Sequence, residues 1–260
     1  MLEDKTISVV LTMHNQAPII GNIVNNLIRN CSDQVKEYIF IFDGCNDGTQ
    51  QIVKDMCRRY DKNFIFKETP NIWETKANNV GFKLARYDYI LTLQDDMLVT
   101  EKNFDQRMLK PFGVRRDILG VTARNAQNER VVGNSIECYD VAGKDRSSPR
   151  NLFAVRSCIV RGPIMFDRPK LVMLDYLDED FAPLDSDDKD ICYRAYKQNK
   201  WIVGAYVIDY DSPLHWGKTR NNAVSNRTWV ESVTKNIQLL ISRHSDSMAE
   251  THNEDIIIEE

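Results

Sequence analysis

Residues 7–11 form a short apolar run rich in β-branched side chains, with little alternation, which predicts a strand buried on both faces. Beyond it, Ile19, Ile20, Ile23, Val24, Leu27 and Ile28 recur at helical spacing, and Pro18 suits a first helical turn. Residues 38–42 read as a second strand. Asp47-Gly48-Thr49 then opens a helix with an apolar stripe of Ile52, Val53, Met56, Cys57 and Tyr60. A brief strand over 63–66, a helix over 74–86 and a strand over 89–93 continue the rhythm. Repeated strand–helix alternation implies an α/β fold: a mostly parallel central sheet, right-handed crossovers and helices on both faces.

After about residue 115 the rhythm breaks. Residues 125–161 are polar with scattered Gly and Pro, as expected for loops and some antiparallel strand. Lys144, Arg146, Arg150, Arg156 and Arg161 crowd this stretch, and two readings stay open: an ordinary solvated surface or an anion-facing acceptor loop. A helix over 187–199 and a strand over 201–208 follow. Residues 227–242 predict an amphipathic helix with Trp229, Val230, Val233, Ile237, Leu240 and Ile241 along one side. Such helices mostly pack on their own domain, with docking on a membrane surface as the other reading. The expected organisation is one domain over 1–244, its halves meeting near residue 115, and a flexible acidic tail over 245–260.

The chain has 260 residues, enough for a substantial core, and a net charge of −4 with a pI near 5.7, which argues against broad binding to nucleic-acid phosphates. Its six cysteines show no CxxC spacing and fit free thiols in a reducing compartment. With no apolar leader after Met1 and no run long enough to span a bilayer, the expectation is a cytoplasmic protein.

Candidate chemistry gathers where strands end. Thr12-Met13-His14-Asn15, Asp43-Gly44-Cys45-Asn46-Asp47-Gly48-Thr49 and Gln94-Asp95-Asp96 each follow a predicted strand, and ligands of open α/β sheets sit outside the carboxyl ends of strands. Asp43 can accept from a ligand N–H, while Asp47 and Thr49 suit a helix cap. A carboxylate pair after an apolar strand is costly unless solvated or neutralised, and Mg2+ or Mn2+ takes such oxygen ligands together with substrate phosphates. Asp185-Ser186-Asp187-Asp188-Lys189-Asp190 stands before a helix. It lacks the Gly and closing Glu of an EF-hand, and helix capping accounts for one of its carboxylates but not for all of them. His215-Trp216-Gly217 returns an imidazole late in the chain, with surface residue and ligand as equal readings.

Taken in order, these segments resemble the inverting glycosyltransferases of family 2, which have the GT-A fold. Residues 7–15 look like the family's opening strand and Thr-x-Tyr-Asn turn, with His14 in place of Tyr. Residues 43–49 are similar to its Asp-Asp-x-Ser-x-Asp-Gly-Thr signature, whose first Asp binds the nucleotide base. Lys76-Ala77-Asn78-Asn79-Val80-Gly81 resembles Ala-Arg-Asn-x-Gly, with Asn78 at the Arg position. Gln94-Asp95-Asp96 falls at the Asp-x-Asp metal motif, where Gln94 replaces the first Asp. Leu177-Asp178-Glu179 and Asp187-Asp188-Lys189-Asp190 resemble the segments that flank the acceptor and carry the catalytic base.

The resemblance implies a nucleotide-sugar donor, with UDP as the first choice of carrier and GDP or dTDP as open alternatives, and a carbohydrate or glycoconjugate hydroxyl as acceptor. Asp188 is implied as base with Asp187 beside it. Thr12, His14, Asn15, Asp43, Lys76, Asn79, Gln94 and Asp95 are implied around the donor, and Asp96 and His215 around Mn2+ or Mg2+. The reaction implied is a single displacement at the anomeric carbon, with a helix-terminal Asp188 ionised at neutral pH. Two other readings stay open. A sugar-1-phosphate nucleotidylyltransferase would need a Gly-rich phosphate loop, which residues 12–21 lack. A degenerate module that binds nucleotide sugar or glycan without turnover is favoured by Gln94 alone.

Overall fold

The structure is a computed structural model that describes residues 2–213, 215–216, 223–250 and 252–259. Its centre is a nine-stranded sheet among the described residues. Strand β1 (Ile7–Met13) pairs in parallel with β2 (Val35–Asp43) and β4 (Tyr89–Gln94), and β2 pairs in parallel with β3 (Phe64–Thr69). Beyond β4, β11 (Ile164–Asp167) runs antiparallel between β4 and β6 (Ile118–Thr122). β12 (Ile202–Ala205) is parallel to β6 and antiparallel to β9 (Leu152–Arg156), which pairs antiparallel with β14 (Glu254–Ile257). Only β9 and β11 therefore run against the common direction.

The buried strands keep a period of two inside a continuous apolar run. In β1, Ile7, Val9, Leu11 and Met13 join one core while Val10 joins the other. In β2, Tyr38, Phe40 and Phe42 face the first core, and Ile39 and Ile41 the second. Helices α1 (Ala17–Asn30), α2 (Thr49–Cys57) and α4 (Phe104–Val114) cover the first face through residues such as Leu27, Val53 and Met108. Helices α3 (Trp73–Leu84), α5 (Arg168–Met173), α6 (Asp187–Asn199) and α7 (Ala223–His244) cover the second through Phe82, Leu171, Ile191 and Leu240. Two-sided cover is what the uninterrupted apolar strands required.

Off the main sheet, β7 (Asn125–Val132) and β8 (Ser135–Gly143) form an antiparallel ribbon with β10 (Cys158–Ile159), and β13 (Tyr210–Asp211) pairs with β5 (Leu98–Val99). The cations of 144–161 are divided rather than pooled. Arg156 is buried between Asp140 and Asp255, Arg150 pairs with Glu101 and Asp209, and Arg161 turns into the interior. The amphipathic helix packs on its own domain, with Leu240 and Asn236 buried and Arg243 paired to Asp178 at 2.6 Å.

The acidic stretch 245–260, expected to be flexible, corrects that reading. Strand β14 adds to β9, Ile258 is buried, and Ile256 packs on the first core. Its carboxylates find cations already fixed in the sheet: Glu254 meets Arg115 at 2.7 Å and Asp255 meets Arg156 at 2.9 Å. Of three consecutive isoleucines at 256–258, Ile256 and Ile258 supply the apolar area that the acid count concealed, while Ile257 faces outward.

Candidate active site

The carboxyl ends of β1, β2 and β4 lie side by side, as the strand-end motifs required. Because β11 is reversed, its first residues arrive at the same edge, so the loop before Ile164 brings Arg161 beside the end of β4. A cleft of about 520 Å³ opens there, walled by Glu74, Gln94, Asp96, Arg161 and Asp188. Tyr210 and Trp229 add aromatic surface to it. Such a volume suits a ligand of drug-like size or larger.

Asp188 sits in the first turn of α6 and is 9% exposed. Its Oδ2 accepts from the Arg161 backbone N–H at 2.9 Å and its Oδ1 from the Lys189 N–H at 3.0 Å. Burial pushes its carboxyl up to about 6, against the pull of Arg161 and with a further push from Asp187. At about 6 the carboxyl is still mostly ionised at neutral pH, as expected of a helix-terminal Asp, but by a smaller margin than its ordinary value of 3.8 would give. Asp187 is fully buried: its Oδ1 accepts from the Asp188 N–H and from the Arg161 guanidinium, and its Oδ2 has no hydrogen-bond partner among the described residues.

The turn that aims these acids is held under strain. Asp185 and Ser186, at φ 77° and 67°, are consecutive non-glycine residues in the left-handed region, which costs about 1 kcal/mol or more each. Asn236 of α7, fully buried, offsets this by donating from Nδ2 to the carbonyls of Phe181, Leu184 and Asp185 at 2.7–3.0 Å. Nothing in the sequence of α7 separates Asn236 from a surface amide, so it was invisible before the fold.

At the end of β2, Asp43 is 2% exposed and its carboxylate already serves the chain. Oδ1 accepts from Thr69 Oγ1 and the Ile72 N–H, and Oδ2 from the Trp73 N–H, each at 2.8 Å. An ionised carboxylate offers about four acceptor positions, so room for one ligand N–H remains. Asp47 caps two helices at once: Oδ2 accepts from the Ala17 N–H at 3.0 Å and Oδ1 from the Thr49 N–H at 3.1 Å.

The other donor-side candidates scatter. Thr12 Oγ1 donates to Asn78 at 2.8 Å. His14 is exposed, with Nδ1 2.5 Å from the Asp43 carbonyl, and Asn15, at φ 51°, accepts from the Asn46 N–H. Lys76 is exposed. Asn79 is buried and exchanges bonds with the Leu177 backbone at 2.9 and 3.1 Å, tying α3 to the segment before α6. Asp95 turns from the cleft to accept from the His14 N–H at 2.8 Å and from Gln16 at 3.3 Å. Burial, with Asp96 adjacent, pushes its carboxyl up to about 7. Gln94 faces the cleft and donates to Glu74 Oε1 at 2.8 Å.

For a divalent ion, Asp96 is the carboxylate of the strand-end turn that walls the cleft. His215 is exposed, edge-on to Trp216 at 6.1 Å, and is not part of the cleft wall. No cluster of three or more metal-binding side chains occurs among the described residues. That donor set suits an ion held by one carboxylate, waters and substrate phosphates, and does not suit an all-protein cage. No described helix is long and apolar enough to cross a membrane.

Comparison with known proteins decides the family. The profile of glycosyl transferase family 2 matches residues 8–168. The chain belongs to glycosyl transferase family 2. The family segment runs from β1 through β11, so it includes the three strand-end motifs and Arg161. A poly-beta-1,6-N-acetyl-D-glucosamine synthase of Staphylococcus epidermidis is 28% identical over 95 residues, 36% of this chain and 23% of that protein. A Staphylococcus aureus protein of the same description is 30% identical over 96 residues, again 36% of this chain and 23% of that one. The aligned part is thus about a quarter of those synthases.

Solved structures agree on the fold. The mannosyltransferase PcManGT from Pyrobaculum calidifontis, in complex with GDP-Man and Mn2+, superposes with a TM-score of 0.58 at 13% identity, covering 94% of this chain and 73% of that one. S. aureus TarS 1-349 in complex with UDP gives 0.54 at 16% identity, covering 91% and 72%. The architecture of this family 2 chain is the GT-A fold.

Proposed function

We propose that this family 2 protein transfers a sugar from a nucleotide-sugar donor, with UDP as carrier, to a hydroxyl of a glycan or glycoconjugate, with inversion. The observation that carries this reading is the placement of Asp188, buried at the N-terminus of α6 on the wall of the cleft that also holds Gln94 and Asp96. The complexes of the structural neighbours with GDP-Man and Mn2+ and with UDP support a nucleotide-sugar donor. The synthases' product, a polymer of N-acetyl-D-glucosamine, supports a carbohydrate acceptor.

In this reading Asp188 takes the proton of the acceptor hydroxyl as the oxygen attacks the anomeric carbon from the face opposite the leaving group. The new C–O bond forms while the bond to the diphosphate oxygen breaks, and its electron pair leaves with the nucleotide. Asp43, through its remaining acceptor position, orients the base, with Thr12 and Asn15 near it. Asp96 would hold Mn2+ or Mg2+ together with the donor diphosphate, and such an ion supplies charge compensation to the leaving group when bound. Tyr210 and Trp229 offer apolar faces on which a sugar ring can pack.

The test is a panel of nucleotide sugars with Mn2+ or Mg2+, scored for free nucleoside diphosphate with and without simple glycan acceptors. Wild-type release from one donor and its loss in Asp188→Asn, with donor affinity kept, is the expected result. Unchanged turnover in Asp188→Asn overturns Asp188 as base. Gln94 favours a second reading, a module that binds a donor without turnover. Calorimetric donor binding with no release under any acceptor would select it.

A further inference from the structure

Three polar side chains, Gln94, Glu74 and Arg161, form an unbroken chain from the end of β4 to the acids of α6. Gln94 Nε2 donates to Glu74 Oε1 at 2.8 Å, and the same oxygen receives Arg161 Nη1 at 2.6 Å. Arg161 Nη2 continues to Asp187 Oδ1, and the Arg161 backbone N–H holds Asp188 Oδ2 at 2.9 Å. Its guanidinium is 15% exposed and Asp187 is fully buried. Burial works against the Arg161 charge, but Asp187, Glu74 and Asp188 together hold its pKa well above the ordinary value. Glu74 is placed by Asp43, whose carboxylate fixes the N–H groups of Ile72 and Trp73 just before it.

We propose that Gln94, Glu74 and Arg161 are positioning residues that act as one linker for the base Asp188, and that Gln94 serves in it as an amide donor to Glu74 rather than as a metal ligand. The proposal rests on Asp188 being the base. A carboxylate at position 94 would face Glu74 across 2.8 Å, with like charges and no donor between them. The side chain must therefore bring an N–H, which an amide has and an ionised acid lacks. Arg161 has to meet Glu74 and Asp187 from two ends of one plane while its backbone holds Asp188. A guanidinium fork does this and a lysine ammonium does not. The charged groups around Asp188 are Arg161 from the loop before β11, Asp185, Asp187 and Lys189 from its own segment, and Glu74 from α3 across the cleft. Arg161 is the stronger of the two cations that favour the Asp188 carboxylate, ahead of Lys189, which pairs with the buried Glu129 at 2.5 Å.

The experiment compares wild type with Gln94→Glu, the exchanged pair Gln94→Glu/Glu74→Gln, and Arg161→Lys. It reads thermal stability, kcat and donor KM separately, and the titration midpoint of the Asp188 carboxyl by 13C NMR in the resting protein. Gln94→Glu is expected to lower kcat about tenfold with little change in donor KM, and to raise the Asp188 midpoint. The exchanged pair restores the bond between positions 74 and 94 in reversed order but puts an amide where Arg161 met a carboxylate, and is expected to return kcat and midpoint part of the way to wild type. Arg161→Lys keeps the charge but not the fork, and is expected to lose kcat about tenfold with donor KM kept. An exchanged pair as impaired as the single variant, or higher metal-dependent turnover in Gln94→Glu, overturns the proposal. The NMR midpoint needs no turnover. If Asp188→Asn stays active while the midpoint still follows the Gln94–Glu74 pair, the base assignment fails and the linker stands.

Discussion

The backbone N–H of Trp73 donates to Oδ2 of Asp43 at 2.8 Å, so the start of α3 is fastened to the end of β2 by a carboxylate. Trp73 has φ 68°, in the left-handed region, and the bond helps hold that conformation.

Asp43→Asn replaces one acceptor oxygen by a donor that then faces an N–H or a hydroxyl. A loss of about 1–3 kcal/mol in stability is expected, measured by urea unfolding, together with weaker nucleotide binding by calorimetry. Loss of nucleotide binding at unchanged stability would mean that Asp43 serves the ligand alone.

As the proposed base, Asp188 ties activity to stability with opposite signs. Its folded pKa is raised to about 6 from an ordinary 3.8, so the fold favours the protonated acid. That contribution is present at low pH and is lost as pH rises through about 6, where the carboxylate forms in a buried place. Asp188→Asn should therefore gain more in Tm at pH 8 than at pH 5. In the wild type kcat should rise through the same window. An equal Tm change at both pH values would refute the burial argument.

Glu129 is buried at the base of the ribbon, with Lys189 Nζ at 2.5 Å, Gln127 at 2.7 Å and the Tyr193 hydroxyl at 3.1 Å. Glu129→Ala leaves the Lys189 ammonium and the buried tyrosine hydroxyl without their acceptor. A cost of about 3–5 kcal/mol is expected in denaturant unfolding, and Glu129→Ala/Lys189→Met should recover a good part of it.

Gly81 packs α3 on β1 so closely that a Cβ there would clash with Val10 Cγ1. Gly81→Ala should destabilise by about 1–3 kcal/mol, and Gly81→Ala/Val10→Ala should recover much of that, both read by thermal melts.

Removing residues 250–260 strips β14 from β9 and leaves Arg156 without Asp255 and Arg115 without Glu254. The shortened chain should melt several degrees lower and exchange the β9 amides faster, which hydrogen-exchange mass spectrometry would read. Unaltered protection of β9 would show that this strand does not depend on its edge partner.

The sequence made the first half legible because its strands are buried on both faces and its turns carry their own chemistry. The run at 7–11, the stripe from Ile20 to Ile28 and the strand-end acids follow from local pattern, while the choice of Asp96 and Asp188 among their acidic neighbours came from the family resemblance. What it hid depends on contacts between distant residues. Glu74 drew no notice in the sequence, because its partner Arg161 lies 87 positions later and is brought to it by the reversed strand that follows. Asn79 looked like a ligand contact, yet its amide closes on Leu177. Asn236 offered no local cue because its partners are carbonyls more than fifty residues earlier. The tail misled because charge was counted without the cations that wait for it in the sheet.

The reversal of β11 also decides where the chain tolerates changes in length. β11 enters the sheet at the edge where its neighbours leave it, so the spacing between Ile159 and Ile164 is fixed at both ends by pairing. One residue added there would carry Arg161 out of reach of both Glu74 and Asp188. At the hairpin tip a Cβ on Gly133 would meet open space, and a longer turn there gives up the Gln238 bond to the Asn134 carbonyl while leaving in place the β7–β8 pairing that carries Lys144 and Asp145 to the cleft. Natural variation in this lineage should therefore show insertions at the ribbon tip and a constant count from 159 to 164.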